Sequence, residues 1–293
     1  MDKKEILRNE IDKKRRQKIR DFFDCRGVYR CQIGKTILGS EIDAYVLGSG
    51  ARHVMYIGAH HALDALCENL LFAFIYDVCI DKNNKSIKGI NREFLLQMFT
   101  FYVIPALNLD GIAISRGEGR DNILSERQRR ICGGDFSCWQ ANARGVDLDR
   151  NYELGFFEYS KTQSKRGVYF SPSGFSGEYP ESEPESAAVA NLLRVTGPAL
   201  VVSFGSAGQE ISYLPDVPKA RRLAERFAER TDYRVLNPSA EENRGTLSAY
   251  ASSLGALSLT LKLGRGENPL PIYHAEPIYS AVFEELMLLP TRL

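Results

Sequence analysis

The stretch Met55-Tyr56-Ile57-Gly58-Ala59-His60-His61-Ala62-Leu63-Asp64-Ala65-Leu66 joins two apolar patterns of different character. The run His53 to Ala59 is short and almost continuously apolar, as a buried strand is, while Ala62 to Cys79 carries apolar residues at helical spacing. A strand passing into a helix within a few residues is the start of a β–α unit, and the pattern recurs along the chain. Phe99 to Leu107, Ala199 to Gly205 and Leu257 to Leu263 read as further buried strands, and Glu185 to Val195, Lys219 to Arg230 and Glu276 to Leu289 as helices. This alternation predicts an α/β fold with helices on both faces of a central sheet. Ser182-Glu183-Pro184-Glu185 marks one helix start: Ser at the cap, Glu three residues on and Pro in the first turn suit the free amides there.

With 293 residues, 44% of them hydrophobic, the chain can bury a full core as one large domain or two small ones. No linker composition divides it, so a single domain is expected over residues 30–293, preceded by a charged helical segment over residues 1–29. In that segment Ile6, Leu7, Ile11 and Ile19 form a thin apolar stripe, and Lys13, Lys14, Arg15 and Arg16 read as a solvated face because acidic residues flank them. The net charge of +1 offers no electrostatic reason to expect nucleic acid or an anionic membrane as partner. No run approaches the roughly 20 apolar residues of a membrane span, and the charged N-terminus lacks the apolar centre of a secretory signal, so a cytoplasmic protein is expected. Cys25, Cys31, Cys67, Cys79, Cys132 and Cys138 then read as reduced thiols without zinc-knuckle spacing. The Gly-, Arg- and Ser-rich text from Ser115 to Tyr179 reads as long ordered loops near a site.

The chemistry starts at His61 and Asp64, three residues apart, a spacing that puts both side chains on one helical face where they can share a metal. Taken alone, the pair describes a buried, hydrogen-bonded histidine equally well. Other segments add to it. Residues 55–66 resemble the strand-to-helix zinc motif of the metallocarboxypeptidases of the carboxypeptidase A type, in which His-x-x-Glu supplies two ligands. Pro105 to Gly111 resembles the family's Pro-x-x-Asn-Pro-Asp-Gly segment, and Trp139 to Tyr152 its substrate-binding segment ending Gly-Val-Asp-Leu-Asn-Arg-Asn. Gly177 to Ala188 and Gly264 to Pro271 are similar to segments of the bacterial branch that includes γ-D-glutamyl-diaminopimelate peptidases. The resemblance covers the chain from about residue 30 onward with the motifs in order. It implies a carboxypeptidase-like α/β/α domain with a mixed, twisted sheet, zinc as cofactor, and His61 and Asp64 as its first two ligands.

The same resemblance shows what is missing. The family's third ligand is a histidine where this chain has Gly205, and no realignment can supply one, because the four histidines are His53, His60, His61 and His274. His274 lies in the loop after the last strand and is read as packing locally. The glutamate general base is replaced by Lys262, whose ammonium has no acceptor for a proton. Asp149 stands for an asparagine that helps bind the substrate's terminal carboxylate, Arg150 keeps the matching arginine, and Gln140 takes the place of the cation that polarises the scissile carbonyl, with Arg144 as a substitute. Tyr250 falls where relatives carry a substrate-contacting loop, and equally suits an aromatic core position. Lys262 is expected to fill the former metal's place and pair with Asp64 or Asp149.

These readings predict a protein that keeps the peptidase fold and a pocket for a peptide or peptidoglycan fragment, without zinc and without hydrolysis. Two alternatives stay open: a working zinc peptidase with a reduced site on His61 and Asp64, and a hydrolase using His60 or His61 with Ser203 or Ser206 as nucleophile.

Overall fold

The computed structural model describes residues 1–81, 86–118 and 121–293. Its strands are β1 (Arg30–Lys35), β2 (Glu41–Leu47), β3 (Arg52–Gly58), β4 (Ser86–Ile87), β5 (Ile90–Asn91), β6 (Phe99–Ile104), β7 (Leu200–Ala207), β8 (Glu210–Tyr213), β9 (Arg234–Leu236) and β10 (Leu257–Gly264). The helices are α1 (Lys3–Arg8), α2 (Lys13–Asp24), α3 (Leu66–Cys79), α4 (Arg92–Met98), α5 (Leu109–Ser115), α6 (Ser125–Cys132), α7 (Phe156–Lys165), α8 (Pro184–Thr196), α9 (Pro218–Thr231), α10 (Leu247–Ser253) and α11 (Ala275–Leu288). Eight strands form one sheet in the order β1-β2-β6-β3-β7-β10-β8-β9, while β4 and β5 make a separate ribbon. The centre β6-β3-β7-β10 is parallel, and β1, β2 and β8 run against their neighbours there, so the sheet is mixed.

Side chains alternate between the two faces because a strand has a period of two. Val54 and Tyr56 of β3, Leu200, Val202 and Phe204 of β7, and Leu259, Leu261 and Leu263 of β10 enter the larger core. Met55, Ile57 and Val201 enter the second, with α8 and α10. The same parity puts Ser203, Gly205, Ser258, Thr260 and Lys262 on the α8 and α10 side. Apolar packing gives way there to polar residues at the C-terminal ends of the parallel strands, where open α/β sheets place their ligands.

All the strands and helices read from periodicity are present, with ends moved by a few residues. Three local readings change. His61 and Asp64 sit on an extended residue and a short 3₁₀ turn (Ala62–Asp64) that precede α3, not on the helix itself. Glu183, not Ser182, occupies the N-cap of α8, and Pro184 is its first helical residue. The segment from Ser115 to Tyr179 carries α6 and α7, so it is not all loop.

The charged N-terminal segment packs into the larger core: Ile6, Leu7, Ile11, Ile19 and Phe23 are buried there. Its basic face is solvated only in part. Lys13 and Lys14 are exposed, but Arg16 donates to both oxygens of the buried Glu68, at 2.5 and 2.9 Å, and Arg20 Nε meets Asp43 at 2.7 Å. Isolated carboxylates would be costly at Glu68 and Asp43, and the arginines offset that cost. The six cysteines are free thiols. Among the described residues no helix is long and apolar enough to cross a membrane.

Candidate functional site

Gly58 ends β3 against the neighbouring connection so tightly that a Cβ on it would lie 2.2 Å from the Pro105 carbonyl oxygen. This close approach lets the chain turn at once into His60 and His61, above the C-terminal ends of β7 and β10. His61 lies between two carboxylates, with Nε2 3.0 Å from Asp147 Oδ1 and Nδ1 3.4 Å from Asp64 Oδ2. Asp147 is anchored by the Gly174 amide at 3.1 Å. Asp64 Oδ1 accepts from the Ser206 amide at 2.7 Å and from Asn268 Nδ2 at 2.6 Å, so Oδ2 is the oxygen turned to His61.

Burial opposes a charge on His61, but the charge and hydrogen bond of Asp147, with Asp64 behind them, hold its pKa well above the usual imidazole range. Burial likewise pushes Asp147 upward, and the His61 charge and hydrogen bond overcome it, bringing the carboxyl down to about 2. Asp64 is lowered in the same way, against its burial, by His61, Ser206 and Asn268. The site is thus an imidazolium between two carboxylates.

These groups also bear on zinc. A metal-bound histidine turns its second nitrogen to a carboxylate, as His61 does to Asp147. Two ligands about one tetrahedral ion stand roughly 3.3 Å apart given zinc bond lengths, and His61 Nδ1 and Asp64 Oδ2 are 3.4 Å apart. The two groups therefore stand at the spacing of two ligands to one zinc. Gly205, at the position the resemblance gives to a third ligand, pairs with Lys262 in the β7/β10 register. A Cβ built on Gly205 would lie 3.5 Å from Asp64 Oδ2 and 3.5 Å from Lys262 Cγ. This position stands beside Asp64 and offers no donor of its own. Among the described residues no group of three His, Cys, Asp or Glu side chains is placed to hold a metal ion. The residues present do not fit a catalytic zinc, which takes three protein ligands.

Lys262 does not pair with Asp64 or Asp149 as expected. Its ammonium pairs with Glu210 Oε2 at 3.7 Å, with the side chain 52% exposed. The reason is the register: β8 runs antiparallel to β10 and sets Glu210 directly opposite Lys262. Glu210 is also paired with Arg234. The cation facing Asp64 is His61.

The remaining candidates are dispersed. Arg150 is spent on protein: Nη1 donates to the carbonyls of Glu242 at 2.6 Å and Arg244 at 3.0 Å, and the guanidinium lies over the Tyr159 ring. Asp149 Oδ1 accepts from the Leu247 amide at 3.0 Å, tethering the start of α10. Tyr250 sits in the core: it is 3% exposed, stacked on Tyr152, with its hydroxyl accepting from Arg194. Gln140 acts through its backbone, accepting from the Ala62 amide at 2.9 Å and donating to the Pro172 carbonyl at 2.8 Å. Arg144 points away along the surface to Glu183, at 3.6 Å. His60 Nδ1 lies 3.4 Å from Ser203 Oγ, but its other nitrogen faces the Tyr152 hydroxyl and no carboxylate, and burial lowers its pKa. Ser206 is fully buried beside Cys67. Among the described residues no base, orienting acid and accessible hydroxyl are brought together.

Sequence reasoning missed Asp147, Asn268 and Glu210, and it offered Ser206 as a nucleophile where the structure uses its backbone amide to hold Asp64. Asp147 and Asn268 lie inside segments already quoted for their resemblance, so their part in the site was within reach. A cleft of about 290 Å³ borders the site on its α3 side, between Ala62–Leu66 and Pro269–Ile272, and His61 and Lys262 are not among its lining residues.

Comparison with known proteins matches residues 25–269 to the zinc carboxypeptidase family model. The γ-D-glutamyl-L-diamino acid endopeptidase 1 of Lysinibacillus sphaericus is 26% identical over 255 residues, covering 84% of this chain and 63% of that protein. The chain therefore spans less than two thirds of that relative's length. Bovine thrombin-activatable fibrinolysis inhibitor, solved with tick carboxypeptidase inhibitor, superposes with a TM-score of 0.73 at 19% identity, covering 97% of each chain. The murein-tripeptide amidase of Escherichia coli O157 superposes with a TM-score of 0.56 at 19% identity, covering 89% of this chain and 94% of its own. At these identities the two structures establish the fold.

Proposed function

The chain belongs to the zinc carboxypeptidase family, and we propose that it is a member without hydrolytic activity, one that binds a peptide or cell-wall peptide fragment. The observation that carries this reading is Gly205: the position next to Asp64 Oδ2, where a third ligand would have to stand, has no side chain. Catalytic zinc needs a third protein ligand there and an open position for water. Bound zinc would polarise the scissile carbonyl and activate water. Here the His61 ring, hydrogen-bonded to Asp147 and close to Asp64, balances part of their charge instead. Lys262 has three donors and no lone pair in its charged form, so the base position cannot take a proton from water. Arg150, committed to two carbonyls, is withdrawn from recognition of a terminal carboxylate, and the anionic Asp149 beside it would repel one.

A peptide ligand is supported by the relatives, whose names specify γ-D-glutamyl-diamino acid and murein-peptide bonds. The second reading, a working peptidase with a reduced site, is favoured by the 3.4 Å spacing of His61 Nδ1 and Asp64 Oδ2. One preparation separates the two. Protein purified without a polyhistidine tag and dialysed against zinc is expected to hold far less than one equivalent and to leave N-acetyl-γ-D-glutamyl-L-lysine uncleaved. One bound equivalent together with zinc-dependent cleavage would overturn the proposal.

A further inference from the structure

Beside the site, and separated from it by one loop, lies a cleft of about 210 Å³ that includes Arg127 of α6, Arg144, Phe170, Phe175 and Tyr179. Three features single it out. First, the Arg127 guanidinium lies 3.6 Å over the Phe170 ring, with Nη2 buried and without a hydrogen-bond partner. A buried donor left unpaired in a folded protein calls for an explanation, and an acceptor that arrives with a ligand is one. Second, Phe170 holds φ at +50°, a conformation that bulky residues rarely adopt. In that conformation its ring meets both Arg127 and Phe175, the latter with centroids 4.9 Å apart. Third, Arg144 is 45% exposed and reaches Glu183 only at 3.6 Å. Glu183 already accepts from Asn142 Nδ2 at 2.7 Å and from Ser182 Oγ at 3.1 Å, so it does not depend on Arg144.

We infer that this cleft is a carboxylate subsite, in which Arg127 and Arg144 grip a carboxyl group of a peptide ligand whose apolar part rests on Phe170, Phe175 and Tyr179. Guanidinium forks match carboxylate geometry, and a ring beneath one fixes its plane before the ligand arrives. The subsite lies close to the eroded centre, because the loop carrying Phe170 and Phe175 also holds Asp147. Gly174 donates to Asp147 Oδ2 at 3.1 Å, and the Asp147 amide donates to the Phe175 carbonyl at 2.7 Å. It supplies the cationic grip that Arg150 no longer offers. The inference rests on the reading that the chain binds a peptide.

Its test is calorimetric titration of the whole protein with N-acetyl-γ-D-glutamyl-L-lysine and with the same compound with both carboxyl groups amidated. Wild type is expected to bind the free acid at least about tenfold more tightly than the amide, as loss of a charge-assisted pair implies. Arg127→Gln is expected to remove that preference while leaving amide binding unchanged, and Arg127→Lys, which keeps the charge without the fork, to restore part of it. Arg144→Gln, at a half-exposed position whose ion pair with Glu183 is long, is expected to weaken the acid severalfold. Equal binding of acid and amide by wild type, no binding of the acid, or acid binding indifferent to both arginines would overturn the inference. Zinc content and hydrolysis, measured on the same preparation, judge the non-hydrolytic reading separately. Acid binding that is lost in Lys262→Ala but kept in Arg127→Gln would leave that reading standing and remove this subsite.

Discussion

Replacing Gly205 by histidine is expected to turn half a zinc site into a complete one. The geometry permits it: a Cβ at Gly205 meets nothing nearer than 3.5 Å, the contacts being Asp64 Oδ2 and Lys262 Cγ. Gly205 is also an ordinary strand residue of β7, so the new side chain meets no backbone strain. An imidazole there starts beside Asp64, whose Oδ2 already stands at ligand spacing from His61 Nδ1. Metal that binds the folded state alone stabilises it by about 2.7 kcal/mol when its concentration is a hundredfold above Kd. For a chain of 293 residues that corresponds to a rise in melting temperature of roughly 5 °C. Calorimetry with and without zinc, and metal content after dialysis, would read the effect. The wild-type melting temperature should not move under the same conditions. If wild type shows the same shift and one equivalent of zinc, Gly205 is not what limits binding, and the reasoning fails. The single variant should stay inactive because Lys262 cannot act as a base; Gly205→His combined with Lys262→Glu is the version in which zinc-dependent hydrolysis is expected.

Other expectations follow from the same geometry. His61→Ala leaves Asp64 and Asp147 buried without their cation and should cost about 3 kcal/mol in denaturant unfolding, the lower end for a broken buried pair because His61 is 28% exposed; a loss under about 1 kcal/mol would mean that the pair is not an ion pair. Burial pushes the Glu185 carboxyl up to about 8, so between the ordinary carboxyl range and that value the folded state holds a proton the unfolded state has released. Stability should therefore fall as pH rises, by roughly 1 kcal/mol per unit between about pH 5 and pH 8. Glu185→Gln should flatten that slope in unfolding curves taken across the range, and an unchanged slope would remove Glu185 as its source. Gly58→Ala drives a methyl into the Pro105 carbonyl and should cost more than about 2 kcal/mol, whereas a stability equal to wild type would show that the turn into His60 and His61 can relax.

Much of the fold was legible from local pattern. Continuous apolar runs marked β3, β6, β7 and β10, and helical spacing marked α3, α8, α9 and α11, because the side chains that bury together within one element are neighbours in sequence. The ends were less legible. Ser182 had every local qualification for the cap of α8, but its hydroxyl is engaged with Glu183 and Asn151, and the cap falls at Glu183. Arg150 lies in a closely matched segment, yet its guanidinium is captured by the carbonyls of Glu242 and Arg244, about ninety residues away in sequence. No local pattern reports such a contact.

The sequence by itself determined that no histidine stands between residues 62 and 273, whatever the alignment. It also determined that Lys262 stands in a buried strand, because the apolar alternation of β10 requires it. Which carboxylate that lysine meets was decided by the tertiary structure: antiparallel pairing of β8 with β10 sets Glu210 opposite it. The cation beside Asp64 was decided there too, by the loop that holds Asp147 against His61. Charge pairing depends on distances across strands and loops, and only the folded chain sets those distances.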